Sequence, residues 1–551
     1  MIDQIEITIN NEKYKYSKGI TLQEIYMEHQ GDLKHPVILA RVNNRLRELS
    51  TKIYEDVSIE FLDLSSPEGN RAHINGLIMV MLCAIRKLYG RGANIKVQQS
   101  IDKGIYIETG FRLTENKLKD IKETMKDIIK KDMPITKLTI DRLEAIKYYN
   151  DIGDITKAKV MKYNTDNYVT LYRLGNVYDY FYNLMPPSSG TVKEFDLTYI
   201  KENGLVLRFP TVYISDKIKK YEHHPLMFDV FQEFKEWAKI IGISNSVELN
   251  ETVSTGKISD IIKIDETLQS NRLLNIAKEI NKRRDKVKVV LMAGPSSSGK
   301  TTTSRKLCMY LESFGLHPKA IGMDDYFLDR ADTPKDEFGN YDYENITAID
   351  LKLLDTQIRQ LFKGEKVLLP KYNFKYGIKE FRDEMQLGEN DIIVLEGIHA
   401  LDSSLINNEN KDYVYRIYIS PLTQLSMDDH NRIPTSDNRL LRRIVRDNRT
   451  RNYSVEHTLE QWKNVRSGEE KYIFPYQDNC DVIINSAPIY EIGVLKTYVE
   501  PLLYSVNNDS PYYEEAKRLI NFLRLFLPIP ADSIPEDAVI REFIGGSYFH
   551  E

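Results

Sequence analysis

Cysteine is scarce: three in 551 residues, Cys83, Cys308 and Cys480. Set so far apart, they exclude a disulfide-stapled scaffold and a Cys-rich zinc module, and they fit a reducing compartment. A basic excess is also missing. Seventy-six Lys plus Arg face 81 Asp plus Glu, a formal net charge of −5. That excludes the global positive field that dominates nucleic-acid affinity, while a local basic face remains compatible with it. Long apolar runs are absent. The longest, residues 74–85, is interrupted by Asn75 and Gly76 and falls short of the roughly 20 residues needed to span a bilayer. The start, Met1-Ile2-Asp3-Gln4-Ile5-Glu6, lacks the basic and then apolar pattern of a signal peptide. A cytoplasmic protein without a membrane partner is the expectation.

What is present is ordinary globular composition, 42% apolar and 28% charged, enough for three or four domains at about 150 residues each. Five segments are expected: 1–65, 66–220, 221–285, 286–490 and 491–551. In the first, Ile5, Ile7 and Ile9 alternate with Glu6, Thr8 and Asn10, the period of a half-buried strand, with a hairpin turn at Asn10-Asn11. Thr21 can cap a helix carrying Leu22, Ile25 and Tyr26. In the second, Leu118, Ile121, Met125, Ile128 and Ile129 share one face of a helix over residues 115–131, capped by Thr114. In the third, Pro225 precedes Phe228, Phe231, Phe234, Ala238 and Ile241, and Gly242 stops the run. The last segment has helical spacing at Ala516, Leu519, Ile520, Leu523 and Leu525; it can dock on a neighbour and shows no chemistry.

The chemistry lies in the fourth segment. Residues 287–292 read as a buried parallel strand. It runs into Gly294-Pro295-Ser296-Ser297-Ser298-Gly299-Lys300-Thr301, a complete P-loop, and a helix begins at Thr302. Strand, loop and helix in that order are the context the motif needs. Glycines let backbone amides turn toward a phosphate, and the helix N-terminus adds partial positive charge. Lys300 would reach the β- and γ-phosphates, and Thr301 would hold Mg²⁺. Residues 391–397 form a second apolar strand ending in Glu396, which can hold Mg²⁺ directly or through water. Residues 320–327 read as a third short strand ending in the paired acids Asp324 and Asp325. At the carboxyl edge of a parallel sheet, Asp324 could take a proton from an attacking hydroxyl, and one of the two acids is expected to be a turn residue. Arg439, Arg442, Arg443 and Arg446 recur at helical steps, with Arg449 and Arg451 beyond. They read as a phosphate-binding helix, or as a solvated one paired with Asp447 and Glu456.

Residues 287–487 resemble the uridine kinase and phosphoribulokinase group of P-loop kinases. The resemblance implies an α/β domain, a parallel sheet flanked by helices. It implies ATP bound by Gly294 through Thr302 and by Arg451, with Mg²⁺ on Thr301 and Glu396. Asp324-Asp325-Tyr326-Phe327 resembles the family's Asp-Ser-Phe-Tyr, which makes Asp324 the base for a sugar 5′-hydroxyl and places Phe327 at the acceptor. Tyr343-Glu344 resembles an aromatic and an acid that hold the nucleoside. Pro370-Lys371-Tyr372-Asn373-Phe374 is similar to Pro-x-Tyr-Asp-Phe, whose Tyr lies at the base pocket. Lys300, Arg443 and Arg446 would act on the transferring phosphoryl group. Two positions depart: Gly377 stands where a pyrimidine-contacting His is usual, and Tyr453 replaces an arginine.

The front of the chain resembles threonyl-tRNA synthetases: a small β-grasp TGS-like domain, then an α+β editing-type domain. The editing family's His-x-x-x-His pair is broken, since Leu77 stands four residues after His73. Leu184-Met185-Pro186-Pro187-Ser188 falls where a Cys and a His are expected. A hydrolytic or metal site is therefore expected to be lost. The leading reading is ATP-dependent phosphorylation of a nucleoside 5′-hydroxyl, uridine or cytidine first. The alternatives are a kinase for another small hydroxylated acceptor, such as a sugar phosphate, and an ATP-switched RNA-binding protein contacting RNA through residues 1–220. A homo-oligomer is left open.

Overall fold

The computed structural model describes residues 4–29, 33–211, 217–335, 339, 341–373, 376–402, 405, 413–423 and 425–549. Met1, Ile2, Asp3 and Phe374 of the motifs above lie outside the described residues.

The first sheet has five strands in the order Glu12–Ser17, Gln4–Ile9, Val57–Leu62, Leu39–Val42 and Arg45–Glu48. Strands Gln4–Ile9 and Val57–Leu62 run parallel side by side, the β-grasp arrangement. Asn10 and Asn11 both take positive φ (50° and 67°) in a two-residue hairpin loop, the geometry that asparagine tolerates best. Thr21 caps helix Leu22–Glu28 through a reciprocal box with Glu24. Ile5, Ile7, Ile9, Leu22 and Ile25 share one core.

Next comes helix Pro67–Tyr89, packed with an antiparallel four-stranded sheet (Asp196–Lys201, Gly204–Arg208, Gly104–Thr109, Ile95–Ile101) and helix Glu115–Lys130. Asn75 and Gly76 do not break this helix, so its apolar character extends further than the run in the sequence. At 23 residues it is long and apolar enough to cross a membrane, and 67% of its apolar window is buried within the protein. A second, three-stranded sheet (Ile135–Asp141, Tyr168–Leu174, Val177–Asp179) and helices Arg142–Asp151 and Ile155–Tyr163 complete this region. Helices Pro225–Ile241, Ser246–Ser254 and Ile258–Lys282 then lead on. Phe231, Phe234 and Ile241 are buried, and Gly242 ends the first of these helices at φ 76°.

The sheet that positions the site is wholly parallel. Its order is His317–Gly322, Asp391–Glu396, Val289–Ala293, Val414–Ser420 and Val482–Asn485. Helices Lys300–Glu312 and Ile258–Lys282 pack on one face, sharing a core with Val290, Met292, Val394 and Ile417. Helix Thr435–Arg451 packs on helix Glu491–Leu503 and the tail helix Tyr513–Leu523, in a core that also reaches the front of the chain.

Candidate active site

In the register, Met292, Glu396 and Gly322 stand level at the carboxyl ends of three adjacent strands. An open parallel sheet gathers its ligands at this edge. Strand Val289–Ala293 delivers the P-loop here. Ser297 turns at φ 59° and Gly299 at φ 83°, so the amides before helix Lys300–Glu312 face inward. The hydroxyls of Ser297 and Ser298 are buried and meet no protein partner. Buried donors without partners are costly, and a phosphate is an acceptor that would satisfy them. Lys300 donates to the Pro295 carbonyl at 3.3 Å, folded back over the loop.

Thr301 Oγ1 donates to Glu396 Oε1 at 3.1 Å, so the two oxygens expected at a cation are already adjacent. Burial pushes the Glu396 carboxyl up to about 7 despite Lys300, with Asp324 and Glu542 adding repulsion. Glu344 is likewise pushed up to about 7 by burial, against Arg443 and Lys300. Asp324 is exposed to the cleft, yet protein crowds its other sides. That crowding raises its carboxyl, and Lys300 pulls it back. Carboxylates crowded around one lysine suit a hard divalent cation. Two protein oxygens completed by substrate phosphates is the usual manner of holding Mg²⁺. Among the described residues no cluster of three His, Cys, Asp or Glu could hold a metal by itself.

The paired acids are not in a strand, as the sequence suggests. Strand His317–Gly322 ends before them, and they occupy a tight turn, Met323–Tyr326. Asp325 is the turn residue of the pair: it accepts from Lys371 Nζ at 3.1 Å and from the Tyr372 amide at 3.4 Å. Those bonds tie the turn to the hairpin Val367–Asn373/Ile378–Met385, leaving Asp324 beside Lys300. Phe327 makes edge contacts with Tyr343 (5.5 Å) and Tyr372 (5.7 Å), so the three expected acceptor aromatics form one cluster. Gly377 sits at φ 70° in the hairpin turn, and a Cβ there would lie 2.7 Å from Arg330 Nε. A side chain in that place would have to displace Arg330, which is bonded to Tyr343.

Arginine spacing on helix Thr435–Arg451 suggests one functional face; the structure divides it. Arg439 and Arg442 are fully buried. Arg439 pairs with Glu469 and donates from Nε to the Ser296 carbonyl at 3.0 Å. Arg442 pairs with Glu491 at 2.5 Å and donates to the carbonyls of Ser297 (3.3 Å) and Ser486 (2.8 Å). Both brace the P-loop from behind, a role the sequence reading missed. Arg443 Nη1 reaches the Ser296 hydroxyl at 3.0 Å. Arg443, Arg446 and Arg451 converge on Asp447 at 3.2, 2.8 and 3.3 Å. Burial works against ionised Asp447, but Arg446, Arg443 and Arg451 hold its carboxyl below the usual range. The pairing with Asp447 thus exists, on a helix that also touches the P-loop. His399, three residues after Glu396, is another residue the sequence reading passed over. It is buried, neither ring nitrogen has a well-formed hydrogen bond, and burial lowers it to about 4.

The family model described as phosphoribulokinase/uridine kinase matches residues 289–493. A uridine kinase of Halobacterium salinarum is 30% identical over 195 residues, 35% of this chain and 77% of that relative. The chain belongs to the phosphoribulokinase/uridine kinase family. It is thus a P-loop kinase, and the family implies ATP and, as a rule, Mg²⁺. The front of this family member matches threonine–tRNA ligases. That of Anoxybacillus flavithermus is 29% identical over 201 residues, 36% of this chain and 31% of the ligase, so the chain spans about a third of that protein's length. Among solved structures, a D-glycerate 3-kinase from Cryptococcus neoformans aligns with 16% identity and a TM-score of 0.23, covering 48% of this chain and 89% of the other.

Among the described residues, the ligase-like front holds no group of three His, Cys, Asp or Glu that could bind a metal. His73 is buried, donates from Nε2 to the Glu194 carbonyl (3.3 Å) and is lowered to about 4 by burial. Leu77 and Met185 are core residues beside it. Pro186 presses on the helix at Gly76, where a Cβ would stand 2.5 Å from its Cγ.

Proposed function

We propose that the chain transfers the γ-phosphoryl group of ATP to the 5′-hydroxyl of a nucleoside, uridine or cytidine first. The observation that supports the reading is the P-loop edge where Thr301 meets Glu396 at 3.1 Å, with Lys300 acting on Asp324, three residues before Phe327, whose ring contacts Tyr343 and Tyr372. In this reading Phe327, Tyr343 and Tyr372 pack on the acceptor and Glu344 accepts from its ribose hydroxyls. Asp324 takes the 5′-hydroxyl proton as the oxygen attacks the γ-phosphorus in line and ADP departs. The P-loop from Gly294 to Thr302, with Arg451, binds the triphosphate. Lys300, Arg443 and Arg446 stabilise charge on the transferring group, Arg443 and Arg446 exchanging part of their hold on Asp447 for phosphate oxygens. Thr301 and Glu396 would hold Mg²⁺, which neutralises terminal phosphate charge when bound.

The test is purified protein with Mg-ATP and a panel of nucleosides and pentose phosphates, followed by ADP release and product. Lys300→Ala and Asp324→Asn are each expected to lower kcat by about 10²-fold or more. Full activity in either variant refutes the assignment.

A second reading is favoured by Arg330. The Arg330 guanidinium lies against Gly377, the position that matches in sequence a pyrimidine-contacting His of uridine kinases, and is bonded to Tyr343. That cation suits an acceptor carrying its own phosphate. Competition between uridine and pentose phosphates in one reaction separates the two.

A further inference from the structure

The family match ends at residue 493, and the tail beyond it returns to the P-loop. Ala538, Ile540 and Ile544 are buried in one core with Leu440, Leu441, Ile444 and Val445 of the arginine-rich helix, and Phe543, also buried, lies against the Arg442 guanidinium, 4.8 Å from its ring centre. Arg449 of that helix donates to the carbonyls of Phe543 (3.1 Å) and Glu542 (2.9 Å). On the other side, Lys306 of the P-loop helix pairs with Asp537 at 2.8 Å. Val539 covers Gly299 so closely that a Cβ on the glycine would lie 2.3 Å from its Cγ1. Between these anchors, Glu542 Oε2 accepts from the Thr302 amide at 3.2 Å.

Thr302 supplies one of the first-turn amides of the 13-residue helix Lys300–Glu312, which have no partner within the helix. In a P-loop those amides and the helix's partial positive charge are the phosphate site. A carboxylate is stabilised there for the reason a phosphate is, and one N–H cannot serve both. Glu542 also repels Glu396, a residue proposed to hold the cation. We infer that the tail is an autoinhibitory contact: Glu542 stands in for a nucleotide phosphate at the P-loop, and ATP must displace it to bind. Arg449 ties the tail to the helix bearing Arg443 and Arg446, so displacement is coupled to the arginines that would meet the phosphates.

The inference rests on the kinase reading, and one experiment separates them. Mg-ATP binding is measured by calorimetry on the full chain, with nucleoside phosphorylation followed in parallel, for the unaltered protein and for Glu542→Gln. The amide keeps the shape and the acceptor oxygen and removes the charge. Expected is ATP binding about tenfold tighter, equivalent to 1.4 kcal/mol. Asp537→Asn loosens the Lys306 anchor without touching the phosphate amides and is expected to tighten ATP in the same direction, by about threefold. Equal or weaker ATP binding in both variants, with phosphorylation intact, overturns the tail inference and leaves the kinase reading standing. No ATP bound by any of the three overturns both.

Discussion

Arg442 tests whether the arginine-rich helix is first a brace for the P-loop. Its guanidinium is fully buried, paired with Glu491, bonded to two backbone carbonyls and stacked 4.8 Å from the Phe543 ring. Arg442→Met keeps most of the volume and leaves the Glu491 carboxylate buried, with Asn438 Nδ2 at 2.6 Å among its remaining partners. Stranding one member of a buried ion pair costs about 3–5 kcal/mol. Against total stabilities of about 5–15 kcal/mol, that is a large fraction. Restoring neutrality with Glu491→Gln in the same chain keeps the Asn438 bond and removes the stranded charge, so the double variant is expected to recover about 2 kcal/mol. Urea unfolding followed by circular dichroism reads the midpoints, with unchanged slopes required for the comparison. Because Ser297 and Ser486 lose their shared donor, ATP affinity should fall in both variants even where stability returns. A single variant costing less than about 1 kcal/mol, or a double costing the sum of its parts, would refute the argument that the charge pair is what matters.

Other consequences are as direct. His224 bonds to Asp102 and Asp478, which raise it from 6.5 to about 9. Its folded value lies above the unfolded one, so the stability it adds is complete below about pH 6.5 and is lost as pH rises toward 9. After allowance for solvent screening this is about 2 kcal/mol, and His224→Gln should flatten that part of a stability–pH curve. Gly377→Ala forces a side chain into a left-handed turn against Arg330. The conformation alone costs about 1–2 kcal/mol, and the acceptor KM should rise while ATP affinity, measured separately, stays put.

What the sequence revealed and what it concealed divide by distance along the chain. The P-loop, Glu396 and the cap at Thr21 are legible because each depends on neighbours a few residues away. Asp324 and Asp325 are chemically identical in the sequence. Only the hairpin at Lys371 and Tyr372, 46 and 47 residues on, shows which is held in the turn. The arginines share a helical face by spacing, but Glu469 and Glu491, which bury two of them, sit on other elements whose approach no periodicity reports. The Thr302–Glu542 contact spans 240 residues, and a tail without a motif gave no signal for it. Gly377 was visible as a departure, while the guanidinium that fills the space came into view only with the turn.

The front half, whatever ligand it meets, has a mechanical consequence for the kinase. The residues just before helix Thr435–Arg451 are gripped by it. His430 bonds to Asp179 at 2.5 Å and to Asn94 at 2.9 Å, buried Lys157 sits 2.6 Å from His430, and the Val97 amide donates to the Asp429 carbonyl at 2.7 Å. At the first turn, Asp437 takes both guanidinium nitrogens of Arg518, which shares Glu515 with Arg71 of the front helix. Lys157, Asp179 and His430 are fully buried, and separating such charges costs several kcal/mol, so the amino end of the arginine-rich helix is fixed to the ligase-like half. Arg449 and Arg451 lie at its other end, held by the tail and by Asp447. A rigid helix pinned at one end moves most at the other. The cations proposed to meet the phosphates therefore sit where motion is least restrained by the front half, on a helix that the tail and the buried pairs to Glu469 and Glu491 hold instead.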